Sequence, residues 1–198
     1  MAFTPPDFEM RDSLPRIGWT GKLIAGLWGF ADATFFFILP DIWLTYVGLR
    51  HGTFPVLLAA LFVTLGGLLG GLALYFFAAA EPAEARNLLL MLPAVNPEAL
   101  REAREILARW DAIAIVGNPY SLLPFKVLAV EAPAAKVQPL FFGLATFFAY
   151  LSRAFLIALI AGFLGWLFRR TFGTRRLIVW AMVFWAVMYA LFFARFYM

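Results

Sequence analysis

Apolar residues fill most of this chain, so the informative positions are the few where a charge, a proline or a glycine interrupts them. Phe54 to Ala80 is the cleanest run, 27 residues without a charge. At about 1.5 Å per residue it exceeds a hydrocarbon core of about 30 Å and predicts a transmembrane helix over 54–80. Val137 to Phe168 predicts a second, over 137–168; at about 48 Å it must tilt, bend or protrude. Leu177 to Ala194 is uncharged and predicts a last helix over 177–196. Two further stretches are apolar but broken. Phe30 to Arg50 carries Asp32 and a Pro40-Asp41 break, and Asp111 to Lys136 is interrupted at Gly117-Asn118-Pro119 and again at Pro124. No fragment of either makes a clean span, and broken backbone is tolerated at membrane depth only where it faces protein or water. Each stretch therefore predicts a re-entrant helical hairpin, 20–51 and 111–135.

Polar periodicity appears once. Leu100, Ala103, Ile106, Leu107 and Trp110 recur at helical spacing opposite Arg101, Glu102, Arg104, Glu105 and Arg109, which predicts an amphipathic surface helix over 97–110. Asn96, Pro97 and Glu98 form its start signal. Residues 1–16 contain acids and prolines but no apolar core, and read as a solvated tail or as a segment laid at the interface through Phe8, Met10 and Leu14, not as a signal peptide. Residues 17–198 read as one membrane domain. Gly66, Gly67, Gly70 and Gly71 form two overlapping GxxxG pairs, a helix-packing signal for intramolecular contact or for a homodimer.

Composition agrees with an all-α integral membrane protein. Of 198 residues, 64% are hydrophobic and 14% charged, against about 25% charged in globular chains; mean hydropathy is +0.84. The net charge of +4 does not point to nucleic acid, because the basic residues flank apolar runs instead of forming a polar stripe. With no cysteine and one histidine, thiolate or histidine-rich metal sites and cysteine nucleophiles have no material, and no cofactor fingerprint is present. His51 reads as an interfacial residue and the Phe-rich runs as lipid-facing bulk. Asp111 and Glu131 read as solvated ends of the second hairpin.

Arg169, Arg170, Arg175 and Arg176 crowd one short loop, which the positive-inside rule places in the cytoplasm. Propagated along the chain, this brings the first hairpin in from the cytoplasm and the second from the opposite face, an inverted repeat.

Asp32, Asp41, Lys126 and Arg153 all stand in apolar surroundings, and each charge costs about 3 kcal/mol at membrane depth unless paired or hydrated. In one reading they line a polar furrow for an anionic lipid headgroup, with Lys126 and Arg153 meeting the anion and Asp32 or Asp41 exchanging a proton. In the other they are a static ion pair joining two halves. The furrow reading makes Asp32, Pro40, Asp41, Asn118, Pro124, Lys126 and Arg153 the pathway residues.

The order of these features resembles the DedA family, also called the VTT or SNARE-associated domain, and most closely its YqaA-like branch. The likeness covers about residues 20 to 170: Asp32, the Pro40-Asp41 break, Gly66 to Gly71, the amphipathic helix, NPYSLLPFK over 118–126 and two closing helices. It implies a protein of the bacterial cytoplasmic membrane that moves phospholipid or undecaprenyl phosphate between leaflets, in some members linked to proton motive force. The family acids fall on Asp32 and Asp41. Relatives usually carry Arg-x-x-Pro-x-x-Pro in the second hairpin; here those positions hold Asn118, Ser121 and Pro124, so the arginine's charge role would pass to Lys126 or Arg153. A proton-coupled transporter of a small solute and a non-transporting assembly partner are the other classes these residues admit. No nucleophile with an adjacent base suggests an enzyme.

Overall fold

The computed structural model describes residues 17–35, 38–92, 95–121 and 123–197; the predicted tail, 1–16, lies outside them. Among the described residues the protein is all-helical, and three helices are long and apolar enough to cross a membrane: α3 (Thr53–Ala80), α8 (Pro139–Phe172) and the Thr174–Phe192 part of α9 (Thr174–Tyr197). The last two differ from the predicted bounds. α8 starts at Pro139, a first-turn residue whose missing N–H is no loss, and continues through Arg169 and Arg170 to Gly173, whose φ of 74° ends it. α9 begins directly after that glycine.

The described residues hold six further helices: α1 (Trp19–Thr34), α2 (Asp41–His51), α4 (Pro82–Leu90), α5 (Pro97–Trp110), α6 (Ile113–Gly117) and α7 (Phe125–Glu131), with one 3-10 turn at Asn118–Tyr120. Sequence periodicity passed over α4, although Pro82 in its first turn is a start signal. α5 has the predicted bounds, and the Asn96 side chain accepts the Ala99 amide at 2.8 Å as its cap. Leu100, Ala103 and Leu107 are buried, but Trp110 is exposed, past the turn of helix that packs.

α3 is the axis of the bundle, and its glycines explain why. A Cβ on Gly66 would collide with the Gly26 carbonyl, and one on Gly70 would stand 2.6 Å from the Phe30 carbonyl oxygen, so this face receives the α1 backbone directly. On the other face Gly67 lies under the Tyr150 ring of α8, and Gly71 lies against Phe125 and Thr146. Both glycine pairs thus pack within the chain, the intramolecular one of the two uses the pattern allowed. α2 lies along α8 in the same way: a Cβ on Gly48 would be 2.6 Å from that of Ala161.

The buried apolar residues form two clusters. One joins α1 and α2 to the first half of α3 and the middle of α8, through Ala25, Leu44, Val47, Val56, Val63 and Ala158. The other joins α4 to α7 with the far end of α3 and the start of α8, through Tyr75, Leu107, Ile115, Val127, Leu128 and Phe142. Phe125 packs against both. The functional candidates collect at that seam.

Candidate functional site: a buried charge network at a helical seam

α1 ends at Thr34 and α2 starts at Asp41, beside the middle of α8. The break exposes backbone groups that an apolar environment cannot satisfy, and side chains from elsewhere satisfy them. The Trp28 indole N–H donates to the Ile38 carbonyl at 2.7 Å, and the Leu39 amide donates to the Tyr189 hydroxyl at 2.6 Å. Pro40 precedes the first residue of α2, so Asp41 stands in its first turn with its side chain directed at α8.

There it meets Arg153. Nη2 and Nε of Arg153 donate to the same Asp41 oxygen, Oδ2, at 2.7 and 3.2 Å. The carboxylate is buried, and the Arg153 side chain as a whole retains 28% of its exposure. One helical turn before Arg153, Tyr150 donates its hydroxyl to Asp32 Oδ2 at 3.0 Å. Asp32 is buried and lies in the electrostatic fields of Arg153, Lys126 and Asp41. Lys126 is buried one residue into α7 and interacts electrostatically with Asp32. The network draws on α1, α2, α7 and α8, and bridges the two apolar clusters.

Of the predicted pathway residues, Asp32, Asp41, Lys126 and Arg153 come together here. Pro40 and Pro124 flank the network as the residues immediately before α2 and α7. Asn118 has a different place. Its Nδ2 donates to the Leu123 carbonyl at 2.7 Å and to Ser121 Oγ at 3.2 Å, and Ser121 Oγ donates to the Asn118 carbonyl at 3.0 Å. These two side chains hold the second break together. An arginine and a proline at the same positions would leave those backbone groups to be satisfied in another way.

Three participants were missed in the sequence. Tyr150 reads as one more aromatic in a Phe-rich run, and only its seat on Gly67 and its bond to Asp32 distinguish it. Arg169 reads as part of a solvated basic loop, but its Nη2 donates to the Leu49 carbonyl at 3.0 Å and closes the C-terminal end of α2. Glu131 is the clearest correction. Far from being a solvated end it is fully buried, with Arg86 at 2.6 Å and Arg104 at 3.1 Å. Burial pushes its carboxyl up, but the hydrogen bonds and charges of the two arginines outweigh this and hold it below its ordinary value of 4.5. The same hydrogen bond raises the Arg86 guanidinium. Arg104 accordingly belongs to this cluster and not to the plain solvated face of α5.

Compared with known protein families, curated proteins and solved structures, the chain matches none.

Proposed function

We propose that this chain is an integral membrane protein that moves anionic lipid headgroups between leaflets, using Arg153 and Lys126 to meet the phosphate and Asp41 and Asp32 as the partners it displaces. The observation that carries the reading is the gathering of two acids, two bases and a tyrosine hydroxyl where α1 ends and α2 and α7 begin, beside the middle of α8. A purely structural role favours replacement of such groups by apolar ones, because a buried ion pair is often no better than a hydrophobic substitute. An exchangeable partner gives them a reason to be there. Arg153 suits the task, since its side chain is partly exposed and a phosphate oxygen can take the place of Asp41 Oδ2, which both Nε and Nη2 now meet.

Under this reading α1 with α2 and α6 with α7 are re-entrant hairpins entering from opposite faces, an inverted repeat meeting at the network. The side-chain bonds that satisfy the Ile38, Leu39, Asn118 and Leu123 backbone groups support it, because irregular backbone inside a bilayer must be so covered. The end holding Arg50, Arg169, Arg170, Arg175 and Arg176 is the cytoplasmic one. Membership of the DedA family and residence in a bacterial cytoplasmic membrane belong to the same proposal. A static lock between the two halves is the second reading, favoured by the 2.7 Å contact of Arg153 with Asp41.

The test is lipid movement in liposomes holding the purified chain, followed by chemical quenching of fluorescent lipid in the outer leaflet. Quenching beyond the outer-leaflet half is expected, and Arg153→Gln and Lys126→Gln should each slow it by about tenfold. Folded variants at Asp32, Asp41, Lys126 and Arg153 that all move lipid at the rate of the unaltered protein would remove the proposal.

A further inference from the structure

The C-terminal turn of α2 and the first turns of α9 leave a groove of about 380 Å³ between them, lined by Tyr46, Arg50, Thr174, Arg175, Ile178 and Val179. Its two guanidiniums come from different helices. Arg50 is held in place: Nη1 donates to the Tyr46 hydroxyl at 2.6 Å and the guanidinium lies over that ring, which in turn stacks on Trp43. No described Asp or Glu lines the groove, and among the described residues none follows Glu131 and none stands between Asp41 and Glu81. Beside the guanidiniums the lining turns apolar at Ile178 and Val179, and one helical turn on from Val179 stands the exposed Val183. No residue of 174–192 is buried, and beyond the groove α9 closes on α2 where the Trp185 indole N–H donates to Thr45 Oγ1 at 3.2 Å.

We propose that this groove binds the phosphate headgroup of an anionic membrane lipid, with Arg50 and Arg175 on the phosphate and the acyl chains lying along α9. Two bases with no acid beside them among the described lining residues suit a phosphate, and the apolar Ile178 and Val179 next to them favour a lipid over free phosphate. The inference rests on the reading of this chain as a bilayer protein, but not on any movement of lipid. The groove is distinct from the Asp41–Arg153 network, whose residues do not line it.

The experiment is a titration of the purified full chain in detergent with short-chain phosphatidate, short-chain phosphatidylcholine and inorganic phosphate, followed by native mass spectrometry. Phosphatidate is expected to bind, and Arg50→Gln with Arg175→Gln to weaken it by about thirtyfold, at about fivefold per basic side chain near a membrane surface. Lysine at both positions should retain most of the binding, and Arg101→Gln, exposed at the far end on α5, should leave it unchanged. Equal affinity in the double glutamine variant, equal binding of phosphatidylcholine, or displacement of the lipid by an equal concentration of inorganic phosphate would each overturn the proposal. If the double variant does not fold, Ile178→Trp keeps both charges and fills the groove, so retained binding there overturns it as well. Lipid binding without lipid movement in the liposome assay would count against the proposed function alone.

Discussion

Asp41 and Arg153 depend on each other more than either contributes alone. Removing one leaves a charge in a low-dielectric site without its partner, which costs about 3 to 5 kcal/mol when fully buried and less here because Arg153 is partly open. Asp41→Asn and Arg153→Gln should each lower stability by about 2 to 3 kcal/mol, and the double variant by clearly less than the sum. Thermal unfolding in detergent measures this, and additive losses would mean the two side chains are not coupled. Glu131 offers a pH test. Its carboxyl lies lower in the folded protein than in the unfolded chain, so its contribution is fully present above about 4.5 and is lost as pH falls through the depressed folded value. The melting temperature of the unaltered protein should therefore fall more steeply on acidification below 4.5 than that of Glu131→Gln; parallel curves would contradict the pairing with Arg86 and Arg104. That Asp32, Asp41, Lys126 and Arg153 needed partners was readable from their apolar surroundings. Which partner each has was not, because Asp41 and Arg153 lie 112 positions apart, and Tyr150 and Glu131 carry no local mark of burial.

Whole helices are placed by small residues and breaks. Gly66 faces the backbone of α1 with no room for a Cβ, whereas a Cβ on Gly143 would meet Leu72 at 3.6 Å, an ordinary contact. Gly66→Ala should cost about 1 to 3 kcal/mol by forcing α1 away, and Gly143→Ala should be neutral or stabilising by up to about 1 kcal/mol, since glycine in a helix interior carries an entropic penalty. Equal effects of the two in thermal unfolding would mean that α1 does not sit on this face of α3. The second break makes a similar demand: Asn118→Ala leaves the buried Leu123 carbonyl without its donor and should cost about 1 to 3 kcal/mol by the same measurement, while a loss near zero would show that the break is held in another way. The long apolar helices, the amphipathic helix and the positions of both breaks were readable, because hydrophobic length, capping residues and proline act locally. α4 was not, since nine residues with Glu84 and Arg86 near their middle carry too little periodicity to stand out. The occupants of the glycine faces were equally hidden, because a GxxxG pair announces close packing without naming its partner.

The whole molecule has two chemically different ends. Arg50, Arg169, Arg170, Arg175 and Arg176 gather at one without an acid among the described residues, while Glu81, Glu84, Arg86, Glu98, Arg101, Glu102, Arg104 and Glu105 mix at the other. Because the chain has no cysteine, a single introduced one reports its side of the membrane directly. Arg170→Cys should react with an impermeant thiol reagent only from the cytoplasmic face and Arg101→Cys only from the opposite face; labelling of both from one face would contradict the inverted arrangement.

Between those ends, the functional reading stands or falls on the depth of the two breaks. Nitroxide labels at Ile38 and Tyr120, both exposed side chains beside the breaks, read that depth in liposomes from their collisions with oxygen and with a water-soluble nickel chelate. Breaks lying within the hydrocarbon give frequent collisions with oxygen and few with the chelate at both positions, against a label at Arg176 on the rim. Chelate collisions at either position as frequent as at Arg176 would put that break in water, and the charge network would then have no bilayer to carry a headgroup through.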